Sequence, residues 1–242
     1  MYIPYLFLFI IYYIFFSVLG VKKTRMLKYS YISESTRIKY YTKAIIETLM
    51  PALMVFVICL FSDMGLADLG LRKMEFSYNV WFNAVTVSLS FLFSASLLFR
   101  MIACMFSEKH RYWAKRRYTT GFLFSHYEDI MNNLIIPHSK KQIFIYFLFS
   151  ITGGICNEIV LRGFFYFILQ SIFPNISMIL ILFLSSFAFG FLQSNLGFVG
   201  VIKTMFNSAL LGFLYFVTGS VFPGMILHFL INFKDAFIFQ TD

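Results

Sequence analysis

Two pairs of polar residues lie four positions apart in apolar stretches of the C-terminal half of the chain. Glu158 precedes Arg162 in the first stretch, and His228 precedes Asn232 in the second. Residues four apart on a helix lie on one face, about one turn from each other. A glutamate before an arginine is the favourable order for a helical ion pair. The Glu158–Arg162 pair is therefore either an ion pair that holds helices together or part of a functional site. In such a site, the carboxylate of Glu158 and the imidazole of His228 could transfer protons.

Two further polar side chains accompany these pairs. Asn157 lies directly before Glu158, and Gln193 lies at the end of another apolar stretch. Gln193 either hydrogen-bonds to a neighbouring helix or marks the end of its own helix at the interface. A lone histidine is usually structural, but His228 shares a predicted helix face with Asn232, which favours a functional role.

The composition indicates that these positions lie inside a membrane. Of 242 residues, 60% are hydrophobic and 13% are charged, whereas soluble domains are about 45–50% apolar and about 25% charged. Lipid must therefore be the solvent for much of the chain. Apolar stretches of about 20 residues predict an all-α, polytopic transmembrane helical bundle with about seven membrane helices. The predicted spans are roughly 2–20, 45–62, 80–106, 142–169, 176–194, 199–218 and 221–239.

The distribution of the positive charge predicts how the bundle is oriented. The formal net charge is +9, and residues 21–44 and 107–141 each contain seven of the 20 Lys and Arg residues. Clustered basic residues between membrane helices face the cytoplasm and attract anionic lipid, so this charge does not predict nucleic-acid binding. Residues 63–79 mix acidic and basic side chains and are predicted to be external. The N-terminus is then outside and the C-terminus is cytoplasmic.

The chain is predicted to be one membrane domain with two parts. Residues 1–141 hold the N-terminal membrane helices and basic cytoplasmic loops, and residues 142–242 hold a core of four membrane helices. The apolar N-terminus is predicted to be a retained helix and not a cleaved signal peptide. Residues 118–137 are either an interfacial amphipathic helix or a soluble connector. The three cysteines have neither disulfide nor zinc spacing, and no cofactor or metal is predicted.

The polar segments resemble the CAAX-protease and bacteriocin-processing (CPBP) family of intramembrane endopeptidases, also called the abortive-infection family. That family has Glu-Glu-x-x-x-Arg in one helix, Phe-x-x-x-His in the next and His-x-x-x-Asn or Asp in the last. Residues 157–163, 189–193 and 228–232 resemble these motifs in order. Residues 66–72 and 211–220 also resemble family segments. The resemblance implies a multi-pass protein of the bacterial cell membrane.

Two positions depart from the family pattern. Asn157 replaces the first glutamate of the first motif, and Gln193 replaces the histidine of the second. The resemblance implies that this glutamate activates water and that the histidines and the Asn or Asp assist it. An asparagine cannot take a proton from water, and a glutamine cannot shuttle one. Loss of general acid–base help lowers a rate by about 10²–10⁴-fold.

The remaining motif residues match the family pattern. Glu158 and Arg162 match its second glutamate and its arginine, Phe189 opens the second motif, and His228 and Asn232 form the third. The residues implied to be catalytic are then Glu158, His228 and Asn232. A carboxylate that faces a guanidinium is a weaker base, so Glu158 could activate water only if Arg162 engaged other groups.

Three functions are compatible with this sequence. The first is a non-catalytic protein that binds a membrane protein or a hydrophobic peptide, as a regulator, an assembly factor or a bacteriocin self-immunity protein. The alternative is an active intramembrane endopeptidase with a variant site that cleaves hydrophobic or lipidated peptides. A transporter is suggested only by the buried polar residues, and the chain lacks the repeats and paired broken helices typical of one.

Overall fold

The computed structural model is all-α in the part of the chain that it describes. Ser33, Asn79, Ser139 and Ser177 cap four of the helices by accepting a hydrogen bond from a backbone N–H three residues on. The described residues are 2–12, 14, 33–76, 79–119, 136–194 and 197–238.

Ten α-helices and one π-helical segment make up the described fold. The π-helix Ile159–Phe164 joins the α-helices Lys140–Glu158 and Phe165–Ile172, so that the three segments form one continuous helix, Lys140–Ile172. The α-helices are α1 Ile3–Tyr12, α2 Glu34–Leu60, α3 Val80–Phe106, α4 Glu108–Thr119, α5 Lys140–Glu158, α6 Phe165–Ile172, α7 Met178–Leu192, α8 Gly197–Thr218, α9 Phe222–Phe233 and α10 Asp235–Ile238.

Four of these helices are long and apolar enough to cross a membrane. They are α2, α3, the continuous helix that includes α5 and α6, and α8. The predicted class of polytopic helical membrane protein is confirmed, but the count of seven spans is not. Helices α1 and α7 are shorter apolar helices. The last predicted span is divided at Lys234 into α9 and α10, and α9 has 12 residues, which cover roughly 18 Å of a hydrocarbon core about 30 Å thick.

Two helices begin or extend where a loop was expected. Helix α2 starts at Glu34, so the basic residues Lys39 and Lys43 belong to the helix, and Lys43 pairs with Glu47 at 3.2 Å. Helix α4 is formed within the predicted basic loop 107–141. Both differences have one cause. The spans were predicted from hydropathy, which marks the part of a helix that lies in lipid, whereas the backbone hydrogen bonds of a helix can continue into water. Most of segment 118–137 and the second half of the first predicted span lie outside the described residues.

The continuous helix that runs from α5 to α6 is the centre of the bundle, and α2 and α9 pack on α5. Glycine permits the closest of these contacts. A Cβ at Gly154 would lie 2.9 Å from the carbonyl oxygen of Met225 in α9. A Cβ at Gly163 would lie 2.5 Å from the carbonyl oxygen of Leu69. Helix α9 and the 64–76 segment therefore contact the central helix at backbone distance.

The two additional family-like segments contact each other. Arg72 Nε donates to the carbonyl of Gly219 at 2.9 Å, and Ser220 Oγ donates to the carbonyl of Arg72 at 2.7 Å. The backbone N–H of Val221 donates to the carbonyl of Gly70 at 3.0 Å. Gly70 and Gly219 have φ of 69° and 61°, a conformation that favours glycine. These bonds hold the turn between α8 and α9 and thereby set where α9 begins.

Candidate functional site

The predicted Glu158–Arg162 pair is an ion pair inside the protein. Arg162 Nη1 lies 3.1 Å from Glu158 Oε1, and neither side chain is exposed. Glu158 ends α5 and Arg162 lies within the π-helix. Single-turn π segments inside α-helices occur frequently at functional sites. The helical spacing in the sequence was sufficient to place these two side chains together.

Arg162 is also bound by a residue that sequence reasoning missed. Its Nη2 donates to both the backbone carbonyl and the hydroxyl of Ser208 in α8, at 2.7 and 2.8 Å. The guanidinium carbon lies 5.8 Å from the centre of the Phe189 ring. Ser208 carried no signal in the sequence beyond being a small polar residue in an apolar helix. Arg162 therefore ties α7 and α8 to the carboxylate of Glu158.

Glu158 joins the two predicted pairs into one network. His228 Nδ1 lies 2.7 Å from Glu158 Oε1, the same oxygen that receives Arg162. The His228 ring meets the Phe189 ring edge to face, with centroids 5.5 Å apart. The sequence placed the pairs on different helices and contained no information on their separation. The fold brings three of the family-like motifs together at Glu158.

Gly224, near the start of α9, makes this approach possible. A Cβ at this position would lie 2.8 Å from Glu158 Oε2. That oxygen is buried and has no hydrogen-bond partner among the described residues. Oε1 of Glu158 therefore contacts both Arg162 and His228, whereas Oε2 faces the backbone of α9 at Gly224.

A polar cavity of about 150 Å³ lies beside this network. Asn157, Gln193, His228 and Asn232 all line it, whereas Glu158 does not. A Cβ at Gly153 would lie 3.3 Å from Asn232 Nδ2 and 3.8 Å from Asn157 Nδ2, so the two amides are neighbours across the α5–α9 contact. Gln193 is the C-cap residue of α7. This position agrees with a helix end, one of the two roles considered for Gln193, whereas its hydrogen bond to a neighbouring helix stays a prediction.

Several other residues that line the cavity were missed by sequence reasoning. They come from α2, the first half of α5, α8 and the α9–α10 junction, which the three polar motifs do not cover. Lys203 and Lys234 are basic residues within apolar stretches, and this was the one signal that could have found them. The additional polar residues are Tyr40, Thr48, Tyr146, Lys203, Thr204, Asn207, Lys234 and Asp235.

The cavity can hydrogen-bond to a ligand in many ways but has few groups that accept a proton. Four carboxamides line it, and each both donates and accepts hydrogen bonds. Of the two lining residues that carry an imidazole or a carboxylate, His228 has its Nδ1 2.7 Å from Glu158 Oε1, and Asp235 pairs with Lys234 at 3.1 Å. Within the described ranges, no group of three His, Cys, Asp or Glu side chains could hold a metal ion.

Comparison with known proteins gives one match. Residues 139–234 match the family model described as type II CAAX prenyl endopeptidase Rce1-like. The matched segment contains all three motifs on which the resemblance was based, so the predicted resemblance is confirmed over these residues. No curated protein and no solved structure gives a significant match to the chain.

Proposed function

Because residues 139–234 belong to the Rce1-like family of type II CAAX prenyl endopeptidases, we propose that this integral membrane protein binds a hydrophobic peptide or a segment of a membrane protein, with hydrolysis lost or impaired. The observation that carries this proposal is that Asn157 and Gln193 line the cavity. At both positions the family pattern has an acid–base residue that this chain lacks. Both side chains can bind a peptide group and neither can accept a proton from water.

The position of Glu158 supports the same proposal. Its Oε1 is engaged by Arg162 and by His228, and its side chain is fully buried and does not line the cavity. A general base must come within hydrogen-bond reach of the proton it removes, directly or through one water. Glu158 is therefore poorly placed to replace the missing glutamate at position 157.

The cellular role follows from what the cavity binds. A retained cavity with no hydrolytic step suits a regulator, an assembly factor or a bacteriocin self-immunity protein. A bacteriocin operon beside the gene would favour immunity among these roles.

The test compares binding with cleavage in purified protein in detergent. We expect prenylated and unmodified hydrophobic peptides to bind without being cleaved. The double substitution Asn157→Glu and Gln193→His returns an acid–base pair to the cavity and should raise the cleavage rate by roughly 10²-fold or more. Gln170→His, outside the cavity, is the control and should leave the rate unchanged. Robust cleavage by the unaltered protein would contradict the proposal.

One observation favours a second candidate, an endopeptidase with a variant site. His228 lines the cavity and its Nδ1 lies 2.7 Å from Glu158, as in a dyad in which a carboxylate orients an imidazole base. In this mechanism His228, and not Glu158, takes the proton from water. Cleavage by the unaltered protein that is abolished by both Glu158→Ala and His228→Ala would establish it.

A further inference from the structure

Helix α4 carries an excess of positive charge that the proposed function does not use. Its sequence contains five Lys or Arg residues and one acidic residue, Glu108. The whole segment 107–141 contains seven basic and three acidic residues, so it keeps a net charge of +4 however these side chains pair with one another. An anion is therefore attracted to this part of the molecule.

Helix α4 begins at the end of a membrane span and stays against the bundle. The last residue of α3, Phe106, is 81% exposed, so the lipid-facing surface of α3 extends to its end. Ser107 has extended backbone angles, with φ of −139° and ψ of 113°, and interrupts the helix there. Helix α4 then packs on α10, and Ala114 contacts the core cluster that contains Cys104 and Ala236. The helix therefore does not project from the bundle into water.

The other face of α4 combines aromatic and basic side chains. Lys109, Tyr112 and Trp113 are all exposed, and their spacing places them on one face of the helix, away from Ala114. Tyr112 is 61% and Trp113 52% exposed, and their ring centroids lie 6.2 Å apart. Large rings that are this exposed indicate a surface that meets something other than water.

The position of this face favours lipid over other anionic partners. Trp and Tyr are enriched at the boundary between membrane and water, where the rings lie at headgroup level. Basic residues beside them attract the phosphate groups of anionic lipids. A nucleic acid would also be attracted by the charge, but the exposed rings lie next to the apolar end of α3, where the bilayer ends.

We propose that α4 lies on the membrane surface and binds the headgroups of anionic phospholipids through its basic residues, with Tyr112 and Trp113 at the edge of the hydrocarbon. This inference does not depend on the proposed function. The core cluster that receives Ala114 also contains Tyr146, which lines the cavity. Lipid bound by α4 thus stabilises the end of the bundle in which the cavity lies.

Tryptophan fluorescence tests this placement. The chain has two tryptophans, Trp113 and Trp81, which is 82% exposed at the start of α3. Trp81→Phe therefore leaves a single reporter on α4. The full-length variant is reconstituted into phosphatidylcholine vesicles in which part of the lipid is replaced by brominated phosphatidylglycerol or brominated phosphatidylcholine, whose bromine quenches on contact. We expect the phosphatidylglycerol to quench Trp113 more strongly at equal mole fraction.

Charge variants in the same background test the role of the basic residues. Lys109→Gln should lower the preference for phosphatidylglycerol by about fivefold, because one basic residue near the surface is lost. Lys109→Arg keeps the charge and should keep the preference. Lys73→Gln is the matched control, since Lys73 is an equally exposed lysine outside α4.

Three outcomes overturn the inference, and none of them bears on ligand binding in the cavity. Equal quenching of Trp113 by the two brominated lipids would overturn the preference for anionic headgroups. Quenching by aqueous acrylamide but by neither lipid would place α4 in water. An equal preference for phosphatidylglycerol in the Trp113→Phe variant, which reports on Trp81, would show that the preference does not belong to α4.

Discussion

At the scale of single residues, the site is organised around the two oxygens of Glu158. Oε1 receives Arg162 and His228, whereas Oε2 faces the backbone at Gly224. Removing one partner from a buried charged network is costly because the remaining charge stays buried. The residues that hold Glu158 in place are therefore as important to the site as those that line the cavity.

Gly224 provides the test at this scale. Gly224→Ala would place a Cβ 2.8 Å from Glu158 Oε2, so the carboxylate or α9 must shift. We expect the variant to be less stable by about 1–3 kcal/mol, measured as a lower unfolding temperature in detergent. Gly65→Ala is the matched control, because its Cβ would make an ordinary contact at 3.7 Å. Equal unfolding temperatures for the two variants would contradict the close approach of α9 to Glu158.

At the scale of elements, the site depends on where α9 begins. Residues 66–72 and the turn between α8 and α9 are joined by hydrogen bonds of 2.7–3.0 Å between distant parts of the chain. The same segment packs on Gly163 in the π-helix, one residue after Arg162. These contacts give a structural role to residues 66–72 and 211–220, the two additional segments for which the sequence predicted a family resemblance.

Arg72 tests this connection. Arg72→Ala removes the bond to the Gly219 carbonyl and should lower the free energy of unfolding by about 1 kcal/mol. It should also weaken peptide binding, because α9 carries His228 and Asn232. The adjacent Lys73→Ala, which has an exposed side chain, is the control. If both variants bind peptide as the unaltered protein does, the turn does not position α9.

At the scale of the whole molecule, the polar groups lie toward one end of the bundle. The cavity extends from Asn157, in the middle of the continuous helix Lys140–Ile172, to Gln193 at the end of α7 and Lys234 at the end of α9. The parts of the predicted basic segments that the structure describes, 33–44, 107–119 and 136–141, adjoin that same end. The cavity and its lysines should therefore be on the cytoplasmic side.

Cysteine labelling tests this orientation. In a variant whose native cysteines are replaced by alanine, Glu75→Cys should react with a membrane-impermeant maleimide in intact cells. Lys109→Cys should react only after permeabilisation, because positive loops face the cytoplasm. The reverse pattern would invert the topology and place the cavity on the outer side. The native cysteines are Cys59, Cys104 and Cys156.

The amino-acid sequence was sufficient for the properties that depend on local spacing and composition. Apolar content predicted a helical membrane protein, and the four-residue spacing placed Arg162 beside Glu158, because both follow from helix geometry and the solvent. The order of the three motifs was sufficient to predict the family whose model matches residues 139–234. Hydropathy was not sufficient for the number of spans or the start of α2, since hydrogen-bonded helix continues beyond the lipid.

The contacts between helices depended on tertiary packing, which leaves no periodic signal along the chain. The bond of His228 to Glu158 joins residues 70 positions apart, and Ser208 meets Arg162 from 46 positions away. Lys203, Lys234 and Asp235 share a cavity with Asn157 because α5, α8 and the α9–α10 junction converge there. The two polar pairs could be identified in the sequence. The fold joined them into one network and placed the Glu158 carboxylate outside the set of residues that line the cavity.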